Sequence, residues 1–240
     1  MTNEEKVRIN KYLSSCGLGS RRKCEDLVKE GRVRANGKLI SDLGFLVLQN
    51  DQITVEGVEC KPASEFTYVM LHKPKGVITS MSDDKGRKTV IDIMPNEYKK
   101  LKPVGRLDYD SEGLLLLTDD GDLAYKLTHP SHEVGKTYVV KVEGEVKESQ
   151  LAVMRAGVVI DGVRLNKCKV KIIEKMDKHT KLEVVINEGR NRQVRKMFDA
   201  VGLNVVFLKR TQIGDLRLGG LARGKARLLS IDEVLYLQSL

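Results

Sequence analysis

The chain has no tryptophan, and aromatic residues make up only 5% of its 240 residues. Its four cysteines, Cys16, Cys24, Cys60 and Cys168, form no CxxC pair and have no partnered histidine spacing. Structural zinc sites draw on close Cys and His pairs, so no metal is expected. The thiols read as buried or incidental in a reducing cytosol. No apolar run approaches the ~20 residues of a membrane span. Met1-Thr2-Asn3-Glu4-Glu5-Lys6 lacks the apolar segment of a secretory leader. No glycine-rich nucleotide fingerprint, internal repeat or low-complexity tract is present, so no cofactor is expected either. The reading is a cytoplasmic protein with no membrane partner, and a monomer by default.

What is present is a core and a positive charge. Hydrophobic residues make up 41%, enough for ordinary globular folding. Net charge is +9, which favours a polyanionic partner. The charge is uneven. Residues 1–61 carry 11 Lys/Arg against 9 Asp/Glu, whereas residues 189–228 carry 10 against 2.

One stretch organises the rest. Val104-Gly105-Arg106-Leu107-Asp108-Tyr109-Asp110-Ser111-Glu112-Gly113 is polar and leads into Leu114-Leu115-Leu116-Leu117-Thr118-Asp119-Asp120-Gly121. The leucine run closed by a turn predicts a buried strand. If the approach is extended, Arg106, Asp108 and Asp110 share one face. A carboxylate beside a guanidinium can serve as nucleophile or base. An acidic turn that merely caps a strand fits the spacing equally well.

Earlier in the chain, Val7 to Gly17 has helical periodicity. Ser20 fits the N-cap of a second helix over Arg21–Glu30. Arg21, Arg22 and Lys23 crowd its first turn, the unfavourable end for cations but a ready phosphate site. Asn36-Gly37 predicts a tight hairpin with Val33 and Ala35 on one face and Arg32 and Arg34 on the other. Further on, Lys73, Lys75, Lys85, Arg87 and Lys88 could line a polyanion's path or only meet solvent. Asp122 can cap a helix over Leu123–Leu127, and His129 and His132 fall in the loop after it. Val134–Val140 reads as a strand. Val194, Met197, Phe198 and Val201 share one helical face, with Arg192, Arg195 and Lys196 on another. Lys209, Arg210, Arg217, Arg223 and Arg227 extend a basic surface. Ser230-Ile231-Asp232-Glu233 is a capping box.

Gly105-Arg106-Leu107-Asp108 with Ser111 through Gly121 resembles the signature of ribosomal-RNA pseudouridine synthases, on the branch named RsuA/RluB. Three further stretches resemble the same family: Lys73-Pro74 with Gly76, Lys136-Thr137-Tyr138, and Glu188-Gly189-Arg190-Asn191-Arg192-Gln193-Val194-Arg195-Lys196. Ser20-Arg21-Arg22-Lys23 and Glu30-Gly31-Arg32-Val33 through Asn36-Gly37 resemble the S-four-like (alpha-L) RNA-binding module. The resemblance implies an α+β fold: an RNA-docking domain over residues 5–61, a linker at 62–65 and a catalytic domain over 66–240, built on a mixed, mainly antiparallel sheet.

It also implies isomerisation of uridine to pseudouridine in ribosomal RNA or an assembly intermediate, without metal or cofactor. Asp108 would be the essential carboxylate, attacking either sugar or base. Arg190 would pair with Asp108, Tyr138 would stack on the uracil or assist its deprotonation, and Arg106 would fill the space left by the flipped base. Arg21, Arg22, Lys23, Arg32, Arg34, Arg192, Arg195 and Lys196 would contact RNA. Some relatives carry histidine where this chain has Arg192. Ser82–Val90 resembles the RluB side, which points to the large subunit. Two other readings remain: a non-catalytic ribosome-associated RNA-binding protein, and a metal-dependent nuclease using Asp108, Asp110, Glu112, Asp119, Asp120 and Asp122.

Overall fold

The computed structural model describes residues 6–240; the first five, on which the leader reading partly rests, lie outside them. The chain divides into two compact units, residues 1–66 and 67–240.

In the first unit, helices Ile9–Ser15 and Arg21–Lys29 pack on a four-stranded sheet. Ser20 caps the second helix, its hydroxyl accepting from the Lys23 amide at 3.2 Å. Cys24, Leu27 and Val28 turn inward, leaving Arg21, Arg22 and Lys23 exposed. Val33 and Ala35 are buried while Arg34 faces solvent. Asn36 (φ 51°) and Gly37 (φ 80°) take the left-handed pair that a two-residue hairpin requires. Arg32 is only half exposed and is held by Glu30 and Glu56 at 3.0 and 2.8 Å.

The second unit is built on a nine-stranded sheet. Its main path runs Lys169–Lys175, His179–Ile186, Lys136–Glu143, Val205–Ile213, Glu112–Thr118, Tyr68–Lys73, Ala226–Leu228. Lys102–Val104 and Leu216–Arg217 pair beside it. Neighbours are antiparallel except Val205–Ile213 and Glu112–Thr118, which run parallel in register Lys209 with Glu112 and Arg210 with Gly113. Together with its helices this makes the fold α+β.

The leucine run occupies the middle of this sheet. Leu115 and Leu117 join the larger apolar cluster, while Leu114 and Leu116 join a second cluster on the opposite face. Side chains alternate along a strand, so a strand covered on both sides reads as continuous apolar sequence. Helices Glu148–Ala156 and Gln193–Asp199 pack on the first face through Leu151, Met154, Val194, Met197 and Phe198. Helices Gly121–Thr128 and Ile231–Ser239 cover the second through Leu123, Leu127 and Leu237. Ser230 and Glu233 form the capping box of the last helix. Asp120, and not Asp122, caps helix Gly121–Thr128: its carboxylate accepts from the Asp122 and Leu123 amides at 3.0 and 2.9 Å. The helix starts at Gly121, two residues ahead of the expected Leu123, so the cap moves back with it. No helix among the described residues is long and apolar enough to cross a membrane.

Candidate active site

The approach to the central strand is a turn rather than an extended segment: the Ser111 amide donates to the Asp108 carbonyl at 3.1 Å. Asp108 and Asp110 therefore diverge. Asp108 lines a cavity of about 340 Å³, together with Arg106, Lys136, Tyr138, Arg190, Arg192 and Arg210. Among the charged residues of that lining Asp108 is the single acid, facing five cations. Its carboxylate is half-buried and has no hydrogen-bond or ion-pair partner among the described residues. Tyr138 is 8% exposed, and its hydroxyl likewise has no partner among them. A buried tyrosine used only for packing normally satisfies that hydroxyl.

Asp110 instead becomes a clamp. Its carboxylate takes Arg192 through two contacts, at 3.2 and 3.3 Å, and pairs with Arg195 at 3.0 Å. Burial raises its pKa, but these two cations outweigh burial and hold it below the usual carboxylate value. Arg195 also donates to the carbonyls of Asp110 and Val205. The clamp ties the turn before the central strand to the loop before helix Gln193–Asp199.

Three expectations change here. Arg195 does not belong to an outer basic face; it is 8% exposed and ion-paired with Asp110. Arg190 pairs with Glu188 at 3.4 Å, not with Asp108. Glu188 is buried and also accepts from the Asn166 amide and the Gln193 side chain; a buried carboxylate needs its charge compensated, and Arg190 is two residues away. Lys196 is half-buried and held by Asp161 at 2.6 Å. Arg106 is exposed at the cavity wall, and Arg192 sits beside it with a left-handed backbone (φ 51°).

Two cations read as surface charge are interior. Lys73 is fully buried, and its ammonium donates to the carbonyls of Pro74, Asp108 and Ser111 at 3.1, 2.9 and 2.9 Å. Burial pushes its pKa down to about 8, against the attraction of Asp108. It pins both ends of the site turn from below. Arg210 is 4% exposed; its Nε donates to the Leu114 carbonyl at 2.8 Å and its Nη2 has no partner. Lys136, not singled out from sequence, lines the cavity with its pKa lowered to about 8 by burial and then by Arg210.

The remaining carboxylates of the stretch scatter. Glu112 is buried against Arg223, Asp119 accepts from the Thr67 amide and Asp120 caps a helix. Among the described residues no group of three or more His, Cys, Asp or Glu side chains could hold a metal ion.

Residues 67–200 match the model of the RNA pseudouridylate synthase family, and residues 7–53 that of the S4 domain. The chain is 44% identical to ribosomal large subunit pseudouridine synthase B of Bacillus subtilis, over 97% of this chain and 96% of that one.

The chain belongs to the RNA pseudouridylate synthase family.

Dual-specificity RNA pseudouridine synthase RluF of Salmonella typhi is 34% identical over 99% of this chain and 80% of its own. A crystal structure of a pseudouridylate synthase superposes with a TM-score of 0.71 at 31% identity, covering 96% of this chain and 99% of that one. This RNA pseudouridine synthase therefore pairs an S4 domain with a catalytic fold along a single chain. The signals for its interior cations were weak. Arg210 follows Leu208 at strand spacing and so shares an inward face, and Lys73 closes a strand that is buried along its length.

Proposed function

We propose that this pseudouridine synthase isomerises a uridine of ribosomal RNA, of the large subunit, with Asp108 as its essential carboxylate. The target base leaves the stack to enter the cavity, at a cost of a few kcal/mol. The bond from ribose C1′ to uracil N1 breaks, the base turns, and a bond from C1′ to C5 forms. C5 gives up its proton and N1 gains one, so nothing is oxidised or reduced. Asp108 attacks either the sugar or the base, and Tyr138 stacks on the uracil or takes part in removing the C5 proton. Arg190, Arg192 and Lys136 of the lining receive the RNA backbone, and Arg106 fills the space the base vacates. The exposed Arg21, Arg22 and Lys23 at a helix start, with Arg34 nearby, dock RNA in the first unit.

One observation carries the reading: the single carboxylate of the cavity is unpaired in a strongly positive surrounding, where a structural acid would be neutralised. The large-subunit assignment rests on the Bacillus subtilis relative, whose name carries it. The test is a site map of pseudouridine in ribosomal RNA from cells carrying wild type or Asp108→Asn only. One large-subunit site is expected to vanish in the variant. An unchanged map would leave the non-catalytic RNA-binding reading in its place.

A further inference from the structure

The chain has seven tyrosines, four phenylalanines and four histidines. Three of these few rings meet on the surface beside the cavity. Tyr125 lies on helix Gly121–Thr128, His129 caps the short 3-10 turn Pro130–His132 that follows, and His132 ends it. The Tyr125 and His129 rings stack with centroids 4.7 Å apart at 32°. His132 meets Tyr125 edge-on at 5.9 Å.

These rings contribute little to the core. Tyr125 is 55% exposed and both histidines are exposed. Leu123, Ala124 and Leu127 of the same helix join the apolar cluster beneath, and Tyr125 does not. The arrangement is nevertheless fixed. The Ser131 amide donates to His129 Nδ1 at 3.3 Å. The Ser131 hydroxyl lies 2.7 Å from the same nitrogen, so both polar groups of Ser131 hold the ring. Pro130 sets the start of the turn, and Glu133, in the left-handed region at φ 49°, ends it.

Position gives the rings a use. Leu127 and Thr128, between Tyr125 and His129, line the cavity that holds Asp108. Thr128 packs so near the site loop that a Cβ on Gly105 would stand 3.4 Å from its Cγ2. An RNA whose uridine enters this cavity must carry its neighbouring nucleotides across the rim. Every base presents a π-face, and single-stranded RNA is held by aromatic side chains that stack on it.

We propose that Tyr125, His129 and His132 form a stacking shelf for an unpaired nucleobase next to the target uridine. The shelf deepens the function proposed above and rests on it for the identity of the substrate. It positions RNA and takes no part in bond making. Stacking is tolerant of base identity, so the shelf reads whether the neighbour is unpaired rather than which base it is.

The test uses full-length enzyme and the ribosomal RNA stem-loop bearing the mapped uridine, with 2-aminopurine placed in turn at the unpaired neighbours. Wild type should quench one label on binding, and Tyr125→Ala and His129→Ala should lose that quench. KM should rise about ten-fold in Tyr125→Ala with kcat within two-fold, and Tyr125→Phe should behave as wild type. Removing the base at the quenched position should raise KM for wild type and leave Tyr125→Ala unchanged. Equal KM in Tyr125→Ala and wild type, or a loss that persists on the abasic RNA, overturns the shelf. If no site can be mapped, the function reading has failed. The shelf is then judged by 2-aminopurine quenching in a short single-stranded RNA: loss in Tyr125→Ala supports it, and equal quenching refutes it.

Discussion

Replacing Lys73 by methionine isolates the support beneath the site turn. The ammonium makes three hydrogen bonds to carbonyls, two of them at Asp108 and Ser111. Bonds to a charged donor contribute about 1.5–3 kcal/mol each, so the three sum to about 5–9 kcal/mol. Against this stands the cost of keeping a charge inside. Burial holds the pKa at about 8 where 10.5 is ordinary, which corresponds to about 3 kcal/mol. The net expectation is a loss of about 2–6 kcal/mol in urea unfolding of the full chain. The variant also frees the Asp108 carbonyl, and a displacement of about 1 Å costs about a hundred-fold in rate. We expect kcat to fall by about that factor while RNA affinity stays within two-fold, because Lys73 is fully buried and the RNA meets other cations. A Lys73→Met enzyme with wild-type stability and kcat would refute the claim that this ammonium holds the turn. A loss of affinity equal to the loss of kcat would show that it acts on RNA instead.

Two further outcomes follow from the same frame. Gly113→Ala would place a Cβ 2.1 Å from the Arg210 carbonyl, on a backbone at φ 118°. The parallel strand pair cannot form around it, so a loss above about 4 kcal/mol is expected, read as insoluble expression or a lowered Tm. Lys136, with its pKa lowered to about 8, is charged at pH 7 and neutral at pH 9. KM for RNA should therefore rise as pH increases through about 8, and Lys136→Gln should start at the higher KM and show no such rise.

Much of the second unit was legible because its local signals agreed with its tertiary environment. The run Leu114–Leu117 announced a strand buried on both faces, and that is where it lies. In the first unit, Asn36-Gly37 set the hairpin through its own backbone preference. What could not be read was partner choice. Arg190 was expected to meet Asp108, yet Glu188 takes it, because the buried acid has the greater need of compensation. The spacing of Arg192, Arg195 and Lys196 gave one helical face. It could not show that Asp110 would draw Arg195 into the interior. Asp108 and Asp110 were separated by a turn that their alternation did not reveal. Lys73 and Arg210 look like surface cations in a basic chain, and only the carbonyls that converge on them tell otherwise.

The lone parallel seam of the large sheet has a consequence for biosynthesis. Asp108 is made early, but Leu208 and Arg210 on the far bank of that seam emerge roughly a hundred residues later, and the cavity wall needs both. Contacts so distant in sequence close late, because loop entropy must be overcome first. A nascent or truncated chain that stops short of Val205 thus owns the acid without an enclosure for a base. On the function proposed above, isomerisation is expected only once the chain has passed Arg210 and closed that wall, although the earlier-made first unit is already there to dock RNA.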